Sequence, residues 1–326
     1  VIHSHHLHGG SDRWPRSPGA VTKAEFNFAA TASGTGPVKF PPVRTSSERL
    51  DVQAIGAAES YDQVIECVLL RDGQRRTICI SSQVGCAMGC AFCLTGKMGL
   101  IRHLTAAEIG AQVRLLATQL GLLDKSFNIV LMGMGEPLHN YDAVMKALRM
   151  LADEHGLSVN PRRVTLSTVG VLPALERLAT EPLMPNLAIS LHATTEEQRD
   201  RLVPINRKYG LKELLDACRR FPVKRRERIT FEYVMLKDVN DTDEDARRLV
   251  RLLNGIKAKV NLLPLNEAAG IPFERPSDAR VNRFAQIVAD RGVTGSVPKS
   301  RGPLNSWVSA CSALRSNEIS GGMSPP

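Results

Sequence analysis

The chain has 326 residues, 43% of them hydrophobic, so it is long enough to bury a sizeable core. It contains no apolar run that could span a bilayer, and its His-, Gly- and Pro-rich start is unlike a signal peptide. These features exclude an integral membrane protein and predict a cytoplasmic one. The formal net charge of +9 favours a polyanionic partner such as RNA, although ordinary basic solubility would give the same charge.

Composition divides the chain into three parts. Residues 1–45 are rich in Gly, Ser, Pro and Thr and show little periodicity, which predicts a disordered N-terminal extension. Residues 46–315 form the predicted core. Residues 316–326 are predicted to be a loose, flexible tail.

Within the core, hydrophobic patterns predict strands that alternate with helices. Two strands are predicted at 64–70 and 77–82, joined by a turn at 71–73, and a capping box at Thr105 and Glu108 opens the first long helix. Later strands are predicted at 128–132, 163–167, 186–191, 229–235 and 259–263, with helices at 142–154, 173–179, 211–220, 242–254 and 277–290. Six such units predict an α/β fold with a parallel sheet, an open, partial (β/α)6 barrel.

Three cysteines, Cys86, Cys90 and Cys93, fall within eight residues in the spacing CxxxCxxC. Thiolates are the usual ligands of iron–sulfur clusters. Three of them on one loop can hold three irons of a 4Fe–4S cube and leave the fourth iron open to a small molecule. The alternatives are a zinc knuckle or chance clustering, but a structural zinc site usually needs four protein ligands and no fourth follows at finger spacing.

Polar and glycine-rich residues follow the ends of the predicted strands. The segment 133–137, Gly-Met-Gly-Glu-Pro, follows one strand, Ser190 and His192 end another, and Asn266 follows the last. Because the carboxyl ends of parallel strands meet at one edge, these residues predict a single site. There Glu136 could accept a hydrogen bond from an ammonium group, although Gly-Glu-Pro alone is also a common turn and His192 alone reads as a core histidine.

The cysteine motif, with Phe92 before its last member, resembles the radical S-adenosylmethionine (SAM) superfamily. The wider stretch 79–100 resembles the RlmN/Cfr family of RNA adenine methyltransferases, and the match extends from about Glu66 to about Cys311. The resemblance implies a radical-SAM barrel, with a 4Fe–4S cluster on Cys86, Cys90 and Cys93. It also implies that SAM is bound by Gly135, Glu136, Ser167, Ser190, Leu191, His192 and Asn266.

The same resemblance implies three catalytic residues. Cys311 would be methylated, Cys79 would resolve the intermediate through a transient disulfide with Cys311, and Glu66 would accept a proton. Without the family, Cys79 reads as an ordinary strand residue and Glu66 as a solvated one. The chain also departs from the family here, because two extra residues precede Cys311 and Ser312-Ala313 replaces the usual Gly-Gln after it.

The activity implied is methylation of a ring carbon of adenine, with C2 as the expected carbon, in ribosomal RNA or tRNA. Two SAM molecules would be consumed per turnover. The implied partners are RNA and a flavodoxin- or ferredoxin-like electron donor, and a monomer is expected. Because the region before the core lacks the family's helical accessory domain, two alternatives stay open: a radical SAM methyltransferase with another carbon or acceptor, or a non-catalytic iron–sulfur RNA-binding protein.

Basic residues are densest at one place in the chain. They are Arg219, Arg220, Lys224, Arg225, Arg226 and Arg228. This cluster is either a contact surface for RNA phosphates or a solvated basic face.

Overall fold

The computed structural model describes the backbone of residues 21–28, 44–46, 49–53, 63–72, 74–224 and 227–297, and the side chains of 65–70, 74–224 and 227–297. The strands are β1 Val21–Phe28, β2 Arg44–Ser46, β3 Arg49–Gln53, β4 Gln63–Asp72, β5 Arg75–Cys79, β6 Gln83–Gly85, β7 Leu100–His103, β8 Asn128–Leu131, β9 Val164–Thr168, β10 Asn186–Ser190, β11 Ile229–Met235, β12 Ala258–Pro264 and β13 Thr294–Ser296. The α-helices are α1 Leu94–Lys97, α2 Ala106–Gln119, α3 Tyr141–Ala152, α4 Leu172–Leu178, α5 Glu196–Leu202, α6 Leu211–Arg220, α7 Asp243–Leu252 and α8 Asp278–Ala289. Short 3-10 helices lie at Pro137–Asn140, Pro161–Arg163 and Pro204–Arg207.

Six parallel strands, each followed by at least one helix, form the centre of the molecule. In the main sheet the described strands run in the order β13-β12-β11-β10-β9-β8-β5-β4-β1-β3-β2, and every pairing from β5 to β13 is parallel. This confirms the predicted partial (β/α)6 barrel. The carboxyl ends of β5 and β8 to β12 therefore lie at one edge of the sheet, which we call the carboxyl edge.

The helices cover the outer face of this sheet with their apolar residues. Helix α2 buries Ile109, Val113 and Leu116 in the main core, and it begins with the predicted capping box of Thr105 and Glu108. A smaller apolar cluster surrounds Phe92 at the carboxyl edge. No helix within the described ranges is long and apolar enough to cross a membrane.

The structure contains several elements that were not predicted from the sequence. Strand β1 lies inside the stretch 1–45 that was predicted to be disordered, and it pairs antiparallel with β4 along eight residues. The composition gave no hint of this pairing, because it depends on the open edge of β4, whose backbone groups need partners. The β6–β7 pair and helix α5 were also missed, since each is short and α5 is mostly charged.

Candidate active site

The carboxyl edge encloses a cleft of about 810 Å³, its open mouth included. Of the ten predicted cluster and SAM ligands, eight line it: Cys86, Cys90, Cys93, Gly135, Glu136, Ser167, Ser190 and His192. Further lining residues are Met88, Phe92, Thr95, Leu131, Met132, Gly133, Thr168, Val169, Glu232 and Leu263. The structure thus brings the cysteine motif together with residues from four other strand ends.

The cysteine loop is fixed at both ends by backbone hydrogen bonds. Cys86 N donates to Gly99 O at 2.8 Å, and Ala91 N donates to Leu202 O at 3.0 Å, at the end of α5. Gly85, just before the loop, has φ +75°, and a Cβ there would collide with Gly99 O. The loop therefore presents its thiols to the cleft without needing a fourth cysteine to order it.

The three thiols are free; Cys86 and Cys90 are buried, and Cys93 is half-buried. Burial raises the pKa of Cys86 to about 12 and that of Cys90 well above its ordinary value. Within the described part of the chain, no three His, Cys, Asp or Glu residues are arranged around a single metal ion. Three cysteines on one loop, each able to bind a different iron, suit a 4Fe–4S cluster.

The Gly-Met-Gly-Glu motif is hydrogen-bonded to the segment 80–83, which leads into the cysteine loop. Gly133 N donates to Ile80 O at 3.1 Å, and Glu136 N donates to Gln83 Oε1 at 2.8 Å. Gly135 has φ +101°, and a Cβ there would lie 2.6 Å from Gln83 Cβ. Only glycine fits position 135. Gln83 holds the motif in place through its hydrogen bond to Glu136 N, a role that was not predicted from the sequence.

Glu136 presents a buried carboxyl group at the cleft wall. Its Oε1 accepts from Leu138 N at 3.0 Å and its Oε2 from Val169 N at 2.9 Å. Burial raises the pKa of Glu136 to about 7 despite these bonds. A cation placed beside this carboxyl would restore its ionised form, which is the property expected of an ammonium-binding group.

Ser167, Ser190 and Glu232 form a polar triplet on the inner face of the sheet. Ser190 and Glu232 are cross-strand neighbours in the β10–β11 register. Glu232 Oε2 accepts from Ser167 Oγ at 2.9 Å and from Ser190 Oγ at 3.5 Å. Glu232 was not predicted as a site residue, although a carboxylate in the middle of an otherwise largely apolar strand is a signal for one.

His192 is held in one protonation state. Its Nδ1 accepts from Val234 N at 3.0 Å, so Nε2 carries the proton. Its ring meets Phe92 edge to face, with 4.8 Å between the centroids. Burial, with a further effect of Arg199, lowers the pKa of His192 to about 3, so the ring is neutral at physiological pH.

The two remaining predicted SAM contacts lie on the same edge but do not line the cleft. Leu191 is fully buried, and its backbone carbonyl accepts from Arg199 Nε at 3.2 Å. Asn266 follows β12, and its Nδ2 is buried without a hydrogen-bond partner among the described residues. An unpaired buried donor is costly, so Asn266 is suited to an acceptor supplied by a ligand.

Cys79 lies on the inner face, next to the cleft. It pairs in register with Val130 of β8, two residues before the cleft residue Met132. Burial raises the pKa of Cys79 to about 12, and the nearby carboxyls of Glu232 and Glu66 add to the effect. Glu66 is itself buried, which corrects its reading from sequence alone as a solvated residue.

Cys311 lies outside the described residues, and so does the tail 316–326. The six cysteines that the structure describes are all free thiols. The methyl-carrier role of Cys311 and its transient disulfide with Cys79 therefore stay predictions.

The members of the basic cluster that the structure describes lie at the other edge of the sheet; they are Arg219, Arg220, Lys224 and Arg228. Residues 221–228 precede β11, and Arg228 lies beside Asn186 at the start of β10. Strands β10 and β11 have five and seven residues, so about 20 Å separates this cluster from the cleft. Arg219 also pairs with Asp216 at 2.7 Å. The cluster therefore does not contribute to the walls of the cleft.

Comparisons with known proteins place the chain in a family. A family model described as the radical SAM superfamily matches residues 80–250. The "Dual-specificity RNA methyltransferase RlmN" of Pelobacter propionicus is 52% identical over 251 residues, which cover 77% of this chain and 71% of the relative. The chain belongs to the RlmN family of radical SAM enzymes.

Two further comparisons extend this result. The RlmN protein of Geobacter sulfurreducens is 50% identical over 309 residues, 93% of this chain and 84% of the relative. A crystal structure of a radical SAM methyltransferase from Sphaerobacter thermophilus has 44% identity and a TM-score of 0.76, covering 86% of this chain and 81% of that one. The resemblance drawn from the cysteine motif is confirmed, and membership of an enzyme family disfavours the non-catalytic alternative.

Proposed function

We propose that this protein is an RNA methyltransferase that adds a methyl group to C2 of adenine in ribosomal RNA or tRNA. The observation that carries the proposal is the meeting of three cysteines, the Gly135–Glu136 motif and the polar triplet at one cleft of an RlmN-family chain. C2 of adenine lies between two ring nitrogens and is electron-poor, so it is a weak nucleophile toward a methyl cation donor. Methylation at this carbon therefore requires radical chemistry.

The residues present fit a 4Fe–4S cluster and SAM. Cys86, Cys90 and Cys93 would each hold one iron, Glu136 would bind the ammonium group of SAM, and Asn266 would donate its unpaired N–H. When bound and reduced by a flavodoxin- or ferredoxin-like donor, the cluster and SAM supply a carbon-centred radical. An apolar wall of the cleft would keep water away from this radical. The wall is formed by Met88, Phe92, Leu131, Met132 and Leu263.

The protein's own residues would then complete the transfer. Cys311 would carry the methyl group, taken from a first SAM, and deliver it to the base after hydrogen removal. Glu66 would accept the proton from the ring carbon, and the odd electron of the adduct would have to pass to an electron acceptor before the next step. Cys79 would attack the sulfur of Cys311: a sulfur–sulfur bond forms, the carbon–sulfur bond breaks, and the released carbon takes up a proton. Burial raises the pKa of the Cys79 thiol to about 12, so the thiol is protonated in the resting protein.

The proposal is tested by reconstituting the wild type and a Cys86→Ala/Cys90→Ala/Cys93→Ala variant with iron and sulfide under anaerobic conditions. We expect about four irons per wild-type chain, bleaching by dithionite, and neither in the variant. Cys218→Ala is the matched control, because Cys218 is buried in the main core away from the cleft. A wild type that binds zinc in preference to iron, with no cluster absorbance, would contradict the proposal.

The acceptor is tested separately. RNA from cells with and without the gene would be digested, and methyladenosines would be identified and mapped by mass spectrometry. We expect 2-methyladenosine to depend on the gene and a methyl group to be found on Cys311 of the purified protein. A gene-dependent methyl group on another adenine carbon or another acceptor would replace the proposed substrate and keep the enzyme class.

A further inference from the structure

Gln83, whose side chain holds the backbone N–H of Glu136, has a second set of partners at its other amide atom. Gln83 is fully buried, and its Nε2 lies 3.0 Å from Nδ1 of His103 and 3.2 Å from Nδ1 of His139. The two imidazole rings meet edge to face, with 5.0 Å between their centroids, and both residues are exposed. The proposed reaction gives this pair of histidines no role.

The hydrogen bonds of Gln83 fix the protonation state of both rings. The backbone N–H of Glu136 can only donate, so the Gln83 atom that it contacts at 2.8 Å is the amide oxygen, Oε1. The NH2 group of Gln83 therefore faces the two rings, and it too can only donate. Each Nδ1 must accept one of its protons, which requires both rings to be neutral, with the ring proton on Nε2.

A neighbouring buried amide, that of Asn140, is held differently. Its Nδ2 donates to the backbone carbonyls of Ser82 at 2.8 Å and Leu104 at 2.7 Å. A backbone carbonyl accepts at every pH, whereas the Nδ1 of a histidine stops accepting once the ring is protonated. Unlike Asn140, Gln83 is therefore held by groups that titrate near neutral pH.

Protonation of either ring would place an N–H where Gln83 needs an acceptor. The amide could turn over, but its NH2 group would then oppose the N–H of Glu136. The ring could instead turn toward solvent, and a buried N–H of Gln83 would lose its acceptor, which is costly. Because the backbone of Gly135 packs directly on the Gln83 side chain, a shift of that side chain also reaches the Gly135–Glu136 motif.

We propose that Gln83, His103 and His139 are positioning residues for SAM: the neutral rings hold Gln83, Gln83 holds Glu136 for the ammonium group, and protonation of either ring weakens binding. The inference rests on the proposed function, because it requires that Glu136 binds SAM. The sign of the effect follows from the hydrogen bonds. Affinity is complete while both rings are neutral and falls as the pH drops and they take up protons. Burial, with a further effect of His103, lowers the pKa of His139, so this ring is protonated only below its ordinary pKa.

Other ionisable groups lie on the elements that carry or contact the pair. They are Glu66, Arg102, Glu108, Glu136, Asp142 and Arg177. Arg102 pairs with Glu108 at 2.7 Å, and Arg177 pairs with Asp142 at 2.8 Å. The pKa of Glu136 is about 7, so SAM binding depends on pH even without the histidines. A test must therefore keep all of these groups and change only the pair.

The inference is tested by isothermal titration calorimetry of SAM with the reconstituted wild type and His103→Asn/His139→Asn at pH 6 and pH 8. The Asn side chain offers an oxygen near the position of Nδ1, and this oxygen accepts at every pH. At pH 8 the two proteins should bind SAM equally. At pH 6 the wild type should bind about threefold more weakly than the variant, because it has lost hydrogen bonds to Gln83. Equal affinities at pH 6 would overturn the inference.

His155→Asn is the matched control, because His155 is exposed on the turn after α3 and should leave SAM binding unchanged at both pH values. Gln83→Met tests the link between the histidines and Glu136. It should bind SAM more weakly at both pH values, and adding His103→Asn/His139→Asn should no longer alter its pH dependence. A histidine effect that persists in folded Gln83→Met would overturn the role of Gln83 and leave the proposed function standing. A wild type that binds no SAM at pH 8 would overturn the proposed function itself.

Discussion

Glu136 shows how burial alone can change the chemistry of one residue. Both of its oxygens accept backbone hydrogen bonds, which favour the ionised form, but loss of solvation outweighs them and the pKa rises to about 7. Glu232, in the same cleft, also has two donors, but both contact the same oxygen, Oε2. The two carboxyls thus differ in how their oxygens are hydrogen-bonded.

The raised pKa of Glu136 makes the stability of the protein depend on pH. The unfolded chain loses this proton near pH 4.5 and the folded chain near pH 7, so the contribution of Glu136 to stability is fully present below pH 4.5 and is lost as the pH rises to about 7. Relative to Glu136→Gln, the wild type should lose about 1.4 kcal/mol per pH unit in this window. The free energies of unfolding, measured by urea titration at pH 5, 6 and 7, provide the check.

Glu108→Gln is a suitable control for this measurement. Burial by itself would raise the pKa of Glu108, but hydrogen bonds from Arg102 and Thr105 hold it below the ordinary value. Its contribution to stability is therefore fully present above about pH 4.5 and changes only below that pH. Parallel curves for the wild type and Glu136→Gln between pH 5 and 7 would show that the Glu136 carboxyl ionises as it does in water.

Helix α5 has a structural role that its sequence conceals. It reads Glu-Glu-Gln-Arg-Asp-Arg-Leu, and of these only Arg199 and Leu202 are buried. Arg199 is fully buried and donates to the backbone carbonyls of Val169 at 2.6 Å, Leu191 at 3.2 Å and Ser190 at 3.3 Å. The helix therefore ties the ends of β9 and β10 together behind the cleft.

Replacing Arg199 should destabilise the fold strongly. In Arg199→Gln three buried carbonyls lose a charged donor, and we expect a loss of about 3 kcal/mol or more, since each unsatisfied acceptor costs about 1–3 kcal/mol. Arg201→Gln, an exposed change on the same helix, should alter stability by no more than about 0.5 kcal/mol. Urea midpoints compare the two variants, and equal losses would show that α5 contributes only through its helical propensity.

At the scale of the whole molecule, the two edges of the sheet have different surfaces. The carboxyl edge holds the cleft, and the exposed cations Arg201, Arg207 and Lys208 lie on the segment that contacts the cysteine loop. The opposite edge, at the amino ends of the parallel strands, is called the amino edge and holds Lys224 and Arg228. When a target base enters the cleft, its neighbouring phosphates lie closer to Arg201, Arg207 and Lys208 than to Lys224 and Arg228.

This asymmetry predicts how salt affects RNA binding. In Arg201→Gln/Arg207→Gln, the slope of log K against log salt concentration should become less steep by roughly 0.7–0.9 for each RNA phosphate that the variant no longer neutralises. The matched change Lys224→Gln/Arg228→Gln should leave the slope unaltered. Filter binding of target RNA at four salt concentrations measures both, and a reduced slope only in the second variant would place the RNA on the amino edge.

The sequence by itself determined the position of the chemistry. The spacing of Cys86, Cys90 and Cys93 and the Gly135–Glu136 motif are local patterns. The alternation of strands and helices is enough to place both motifs at one edge of the sheet, because right-handed parallel crossovers align the carboxyl ends of the strands.

Only the tertiary structure decided which charged residues are buried. Arg199 reads as a surface residue of a charged helix, and Glu232 as one polar residue in a strand. Their roles depend on partners 30 and 65 residues away, Val169 and Ser167. Strand β1, too, forms only because β4 offers a free edge. Burial is a property of the assembled chain, so no local pattern could have predicted these contacts.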